Sequence, residues 1–490
     1  MAGMGSSGLV GELGALADGR AQFAAYEAMV VARFAALRPA GADRGEAEPG
    51  HRVAGWTPEE PPAGVSEFFA DELALVKGIS VNAAVSLIDR SLALVHQLPA
   101  TWAALADSLI DEARANAIVK ALAGQSTDAD GHVDPAVVAE VEAQAVEWAL
   151  AGETPRRLQD RTAAALIALD EAAADRRRKQ AERHADVTTQ ATADGMGQLV
   201  AELPMPVAVA CRETVDEYAR MLKADGDARP IGQLRALVLA DLVLRPWDTS
   251  REPVTAHLQV LAPLPGFGGG AAPAAGTAAA PSDADTATVG GAPITAGQLR
   301  ELLAQLDAIC PGGLQPPTGG SLSISLLDPD TGALRATVSR PELERLVRRG
   351  CREHPRTDCG CAVLDRPPPV DRYEPTPAQR RFIKARDRTC RHPGCRRPAR
   401  WTDADHVCPR AEGGETDCTN LCSLCRRHHR LKTHAPGWRF VMTVDGILSV
   451  TTPSGVTRTT RPPGLRLPPE YLLGPAGGML PDPGDDLPPF

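Results

Sequence analysis

DADHVCPRAEGGETDCTNLCSLCRRHHRLKTH, running from Asp403 to His434, decides how this chain is read. Asp405 and His406 are adjacent, Asn420 follows His406 after thirteen intervening residues, and His429 follows Asn420 after eight. Two metal-ligating groups and one titratable base therefore return to one short segment. Pro409 ends any strand that carries Asp405 and His406, since proline has no N–H to give to a ladder, and Gly413-Gly414 opens the loop that carries Asn420. From Leu424 onward the run reads as a helix. Cys425 and His428 share one face of it at i and i+3, while His429 turns about 100° away. The adjacent histidines thus serve two different sites.

Working outward, Cys390 and Cys395 are separated by four residues and Cys425 and His428 by two, with the pairs thirty residues apart. That is the spacing of a structural zinc site, in which thiolates and an imidazole hold a module too small to be stable on its own core. Asp405 and His429 together form an incomplete set of ligands, which leaves positions open for water and a phosphate oxygen. His406, with an ordinary pKa of about 6.5, is free to take a proton from water. Neighbours on a regular strand point to opposite faces, so Asp405 and His406 have to sit at a strand end or bulge to reach one phosphate. Cys351, His354, Cys359 and Cys361 offer a second group of soft ligands. Their Cys-Gly-Cys spacing is tighter than that of common zinc knuckles, so free thiols are the alternative.

The chain has 490 residues and a formal charge of −10, which argues against a nucleic-acid partner only if the charge is evenly spread. It is not: Thr376–Phe440 holds fifteen Lys and Arg against six Asp and Glu. Within this basic segment Arg388, Arg426, Arg427, Arg430 and Lys432 are the candidate phosphate contacts, with Arg380, Arg381, Lys384 and Arg386 on a preceding helix. Nine of the eleven cysteines lie between Cys351 and Cys425, and clustered thiols in a reducing compartment more often mean metal than disulfide. The N-terminus lacks a cationic start and a long apolar core, and no run approaches the roughly 18 apolar residues of a membrane span, so a cytoplasmic protein with no membrane partner is expected.

Organisation follows composition. Residues 1–18 are expected to be disordered and 19–264 mostly helical. Ala70–Leu92 reads as helix, Gly78 break, Ser80 cap and second helix, either an ordinary helical hairpin or a helix-turn-helix. Residues 254–264 read as a strand and 265–292 as a Gly/Ala/Pro linker or disordered loop. Residues 293–350 read as a helix, a hairpin around Asp-Thr-Gly and a further helix, and 351–372 as a Cys/Pro-rich connector. A compact module at 373–460 ends in two strands around Asp445-Gly446, and 461–490 form a Pro/Gly-rich disordered tail. The fold class is multidomain: a mostly α N-terminal domain with a small α+β segment, then a small α+β zinc-stabilised domain.

RDRTCRHPGC, DADHV, TNLCSLCRRHHRLKTH and the closing GW, spread over Tyr373–Trp438, resemble the HNH endonuclease family, whose fold is the ββα-metal finger. The resemblance implies that Asp405 and His429 bind the catalytic divalent ion, Mg²⁺ with Mn²⁺ or Ni²⁺ as substitutes. It further implies that His406 is the general base, and that Asn420 holds the loop and orients His406. Cys390, Cys395, Cys425 and His428 match the family's zinc knuckle, His428 standing where a fourth cysteine is more usual. Upstream, ADELALVKGISVNAAVSLIDRSLALVHQLPATWAAL, TPRRLQDRTAAALIALD, DGMGQLVAELP and PITAGQLREL resemble the domain of unknown function 222, which precedes such modules in proteins of high-GC bacteria. The expected function is a metal-dependent DNA endonuclease, with RNA left open as substrate. The alternatives are a noncatalytic zinc-stabilised DNA-binding protein and a partner-binding protein whose role lies in the helical domain.

Overall fold

The computed structural model describes residues 5–43, 62, 64–123, 134–244 and 365–466. Between these last two stretches it adds the segments 260–261, 287–289, 292–305, 309–310, 313–315, 322–328, 331–339 and 341. The chain divides into two units by space more than by sequence. Met1–Ala32 and Arg90–Gln259 form one, and Arg33–Asp89 joins Val260–Phe490 in the other.

The first unit is helical. Helix α1 (Ser6–Ala36) begins in it, so residues 6–18, expected to be disordered, are helical. Their Leu, Ala and Glu residues favour helix strongly enough to carry Gly11 and Gly14. α2 (Phe69–Lys77) and α3 (Val81–Leu92), which belong to the second unit as far as Asp89, form as expected around Gly78, whose φ of 67° is a left-handed C-cap, and Ser80 Oγ accepts from Ala83 N. Beyond α3 come α4 (Pro99–Ala106), α5 (Glu112–Leu122), α6 (Pro135–Leu150), α7 (Pro155–Leu169) and α8 (Glu171–His184). Proline starts α4, α6 and α7, where its missing N–H costs nothing. Asp111 and Asp134 cap α5 and α6. α4 has no side-chain cap of its own; buried Glu142 on α6 accepts from Thr101 N at 2.7 Å in its place. Leu94, Leu98, Leu105, Ile118, Leu122, Leu158 and Leu166 close the core. An exposed hairpin, β1 (Val187–Ala191) with β2 (Gly197–Ala201), precedes α9 (Met205–Ala224) and α10 (Ile231–Leu244).

In the second unit β3 (Val260–Leu261), β4 (Ala287–Val289) and β5 (Ala292–Ile294) make a small antiparallel sheet covered by α11 (Ala296–Gln305). Residues 287–289 were expected in the linker, but their Ala287 is buried against Leu299 and Leu303. The expected strand at 254–264 is described only at 260–261, and most of the linker and of the tail lies outside the described residues. Two short strands, β6 (Ile309–Cys310) and β7 (Gly313–Leu314), come next. β8 (Ser323–Leu327) and β9 (Leu334–Ser339) form the hairpin around Asp-Thr-Gly.

α12 (Pro377–Asp387) opens on a capping box in which Thr376 Oγ1 accepts from Gln379 N and Gln379 Oε1 from Thr376 N. Next, β10 (Thr402–His406) pairs antiparallel with β11 (Leu421–Cys425), setting Asp405 opposite Cys422 and His406 opposite Leu421. α13 (Arg426–His434) follows β11 without a linker. β12 (Arg439–Met442), β13 (Leu448–Thr451) and β14 (Thr457–Thr460) form a three-stranded sheet, one strand more than expected around Asp445-Gly446.

A buried polar network ties α12 to the β10–β11 hairpin. Arg386 donates to Asp387 Oδ1 at 2.8 Å and to the carbonyls of Cys418 and Leu421, and Ser423 N donates to Asp387 Oδ2 at 2.7 Å. Arg391 joins from the next turn, bonding Asp387 and the Gly446 carbonyl. Arg386, expected on a phosphate-facing helix, is therefore a structural cation: its buried guanidinium is bonded to one carboxylate and two backbone carbonyls. Asp387→Ala leaves two buried guanidiniums without their carboxylate, and we expect it to destabilise this unit by about 3–5 kcal/mol, read by denaturant melts of the full chain.

Candidate functional site

Two groups of side chains meet around α13. On one side Cys390, Cys395, Cys425 and His428 bring four donor atoms within 4.8 Å of one another. Cys390 Sγ and Cys425 Sγ lie 3.4 and 3.2 Å from His428 Nδ1. Three sulfurs and one imidazole nitrogen at these separations fit a tetrahedral ion such as zinc, whose bonds run about 2.0–2.3 Å. Cys425 takes the thiolate role, pulled far down first by hydrogen bonds from the Cys390 and Cys395 thiols. Leu75, Val407, Cys422, Leu424, Leu448 and Val450 pack around the cluster. Cys422 and Cys418 stay out of it: burial pushes Cys418 up to about 12 and raises Cys422 further, so both remain thiols. Cys351, His354, Cys359 and Cys361, the second expected metal group, lie outside the described residues.

On the other side of α13 the expected catalytic residues gather. His429, one residue on from His428, points its Nε2 to Asp405 Oδ1 at 3.3 Å. Its Nδ1 lies 3.2 Å from Asp403 Oδ2. Asp403 and Asp405 are two apart on β10 and so share a face. A hydrogen bond with His429 holds the Asp403 carboxyl below its ordinary range, burial opposing and Arg426 adding to the effect. With Nδ1–H directed to Asp403, His429 keeps the Nε2 lone pair beside Asp405, a pair of donors for one hard cation. Lys432 is here too: its ammonium donates to the His406 carbonyl and lies 2.9 Å from Asp405 Oδ2.

His406 is the last residue of β10, as the need for a strand end required. Its Nε2 is 2.8 Å from Thr416 Oγ1, and the Thr416 hydroxyl donates to the Arg372 carbonyl. A hydroxyl has one proton, so Thr416 accepts from His406 Nε2–H and leaves Nδ1 as the basic atom. Tyr373 stacks on the ring at 5.3 Å. Burial holds the His406 pKa below its ordinary value of 6.5, Lys432 and Arg410 adding to this and Asp405 opposing it.

Asn420 closes the loop between the strands. Its Oδ1 accepts from Cys408 N at 2.8 Å, and its Nδ2 donates to the carbonyls of Cys408 and Glu415. Gly414 is required beneath it, since a Cβ there would overlap the Cys408 carbonyl. Asn420 thus holds the loop as the resemblance implied, while the direct partner of His406 is Thr416.

Several expected phosphate contacts are engaged within the unit. Arg427 binds Asp71, Arg430 binds Glu67 and Lys432 binds Asp405, whereas Arg426 pairs with Asp403 but keeps 41% of its side chain exposed. Arg388 is half-buried at the end of α12. Sequence reasoning passed over the exposed Arg396, Arg397 and Arg400, and over Trp401, which is 65% exposed beneath the Arg400 guanidinium. It also missed Asp71, Asp403, Thr416 and His392. Asp403 carried a signal, its alternation with Asp405; the contacts of Asp71, Thr416 and His392 depend on how separate segments pack. Among the described residues, no single helix is long and apolar enough to cross a membrane.

No family model matches the chain, and no solved structure matches it. It is similar to the uncharacterized protein Rv3776 of Mycobacterium tuberculosis (strain H37Rv), 46% identical over 90 residues, which are 18% of this chain and 17% of that protein. The uncharacterized proteins Rv2100 of the same strain and MT2160 of strain CDC 1551 match at the same identity and length, over 16% of each. The chain thus spans less than a fifth of the length of each of these relatives.

Proposed function

We propose that the cysteine-rich module is the cutting part of a metal-dependent DNA endonuclease of the HNH kind. The observation that supports this reading is the meeting of Asp405, His406 and His429 at one end of β10, with the His406 ring held by Thr416. Asp405 and His429 would hold a divalent cation, Mg²⁺ or alternatively Mn²⁺ or Ni²⁺, which would supply positive charge to the phosphate and to the leaving 3′ oxygen. His406 Nδ1 takes a proton from water as the new P–O bond forms and the P–O3′ bond breaks. Asn420 keeps the loop closed so that Thr416 stays against His406. Arg396, Arg397, Arg400 and Arg426 contact flanking phosphates, with Trp401 stacking on a base or sugar. RNA offers the same phosphate chemistry, and a single-stranded RNA incubated beside plasmid DNA under the same metal conditions separates the two substrates.

One observation favours a second reading. The Lys432 ammonium already neutralises Asp405, as it would in a noncatalytic DNA-binding protein that keeps the zinc-held shape.

Purified full-length protein is expected to nick supercoiled plasmid with added Mg²⁺ or Mn²⁺. His406→Ala should lower the rate by about 10²–10⁴-fold with the circular dichroism spectrum unchanged, and Thr416→Val by less. Unchanged cleavage in His406→Ala removes His406 as base, and DNA binding without cleavage under any divalent ion favours the second reading. Metal analysis should return one tightly held zinc per chain that Cys395→Ser abolishes. A second equivalent that survives this change would come from the Cys351, His354, Cys359 and Cys361 group.

A further inference from the structure

The buried carboxylate of Asp71 has no role in the scheme above, yet it sits against the metal cluster. It is fully buried on α2, in a run of seven buried residues from Phe69 to Leu75. A charge is placed in such a run only where partners repay its desolvation. Two do. Asp71 Oδ1 lies 3.0 Å from His428 Nε2, and Oδ2 accepts from Arg427 Nη2 at 3.0 Å and Nε at 3.1 Å.

We propose that Asp71 is the outer carboxylate of the Cys390–Cys395–Cys425–His428 metal site, a positioning residue that makes metal retention depend on a helix 357 residues upstream of the ligand it holds. The inference rests on the cysteine–histidine cluster and on no nuclease activity. A neutral imidazole has one N–H and one lone pair. With Nδ1 aimed at the sulfurs, the proton belongs on Nε2, and Asp71 is the acceptor that keeps it there. A carboxylate in that position also makes the ring a stronger donor to a cation. His392 stacks on the same ring at 3.8 Å and 3° from parallel, which prevents it from turning. Arg427 balances the Asp71 charge, so that no net charge is buried by the pair.

α2 and the turn before it are anchored independently of His428. Glu67 pairs with Arg430 at 2.7 Å, Glu72 accepts from Ser454 N at 3.0 Å, and Arg458 donates to the Leu75 carbonyl at 3.0 Å. Docking of the helix and orientation of the ligand are therefore separable by substitution.

The test uses the full-length protein in three variants, Asp71→Ala, Asp71→Asn and Glu67→Gln, each titrated with a colorimetric zinc chelator and reconstituted with Co²⁺. Asp71→Ala is expected to weaken zinc binding by about 10–100-fold, the cost typical of losing an outer partner of a metal-bound histidine. Asp71→Asn keeps an oxygen acceptor for Nε2–H without the charge, so it should weaken binding less and shift the visible Co²⁺ bands. Glu67→Gln should leave both readouts unchanged. Wild-type zinc affinity and Co²⁺ bands in Asp71→Asn overturn the proposal, even if Asp71→Ala fails to fold. Equal loss in Glu67→Gln also overturns it, since docking alone would then govern the metal, as does a wild-type chain that holds no zinc.

Discussion

Cys425 is both the last residue of β11 and the N-cap of α13, and the rest of the module depends on this double membership. With no loop between them, the direction of the strand and the phase of the helix are set at one residue. His428 then has to return to the Cys425 side, one turn on, and His429 has to face β10. A single inserted residue would rotate every later side chain by about 100° and separate both groups from their partners. The two sites are thus bound by one backbone junction, although they share no side chain.

The opposite strand supplies the complementary constraint. β10 alternates, so Asp403 and Asp405 face His429 together, and His406 reaches the same end only because the strand stops there. A two-stranded ribbon is at best marginally stable in water. This one has β11 buried at all five residues, the Arg386–Asp387–Arg391 network beneath it and a cysteine cluster at its end. Polar connections of high directionality replace the broad apolar layer that a larger sheet would provide. Asp71 extends the same economy, since one carboxylate from α2 meets both Arg427 and His428.

What the sequence made legible was what depends on local spacing. The i, i+3 pairing of Cys425 with His428, the opposite turn of His429, the Gly78 break, the Asp-Thr-Gly hairpin and the loop-closing role of Asn420 all follow from helix phase, turn chemistry or motif. Contacts between distant segments were not legible. Nothing near Asp71 distinguishes it from an exposed helical carboxylate, because its burial is set by residues 356 and 357 positions away. Thr416 is an ordinary loop threonine until the Arg372 carbonyl takes its proton. The helix at residues 6–18 was missed for a different reason: Gly8, Gly11 and Gly14 lower the local helix propensity, yet α1 is continuous through them.

Charge shows the same division between composition and contact. The basic excess of Thr376–Phe440 is real as a field, since a cation contributes at long range wherever it sits, within a Debye length of about 8 Å in physiological salt. It is a poor guide to contact. Arg386 and Arg391 are spent on Asp387, and Arg427 and Arg430 on Asp71 and Glu67. A cation already paired and buried has to give up its carboxylate to reach a phosphate, which cancels most of what the phosphate offers. Arg396, Arg397 and Arg400 are exposed, and they adjoin an exposed tryptophan just ahead of β10. Exposed arginines therefore stand in the turn that precedes β10, whereas those of the helix that the motif emphasises are paired within the unit.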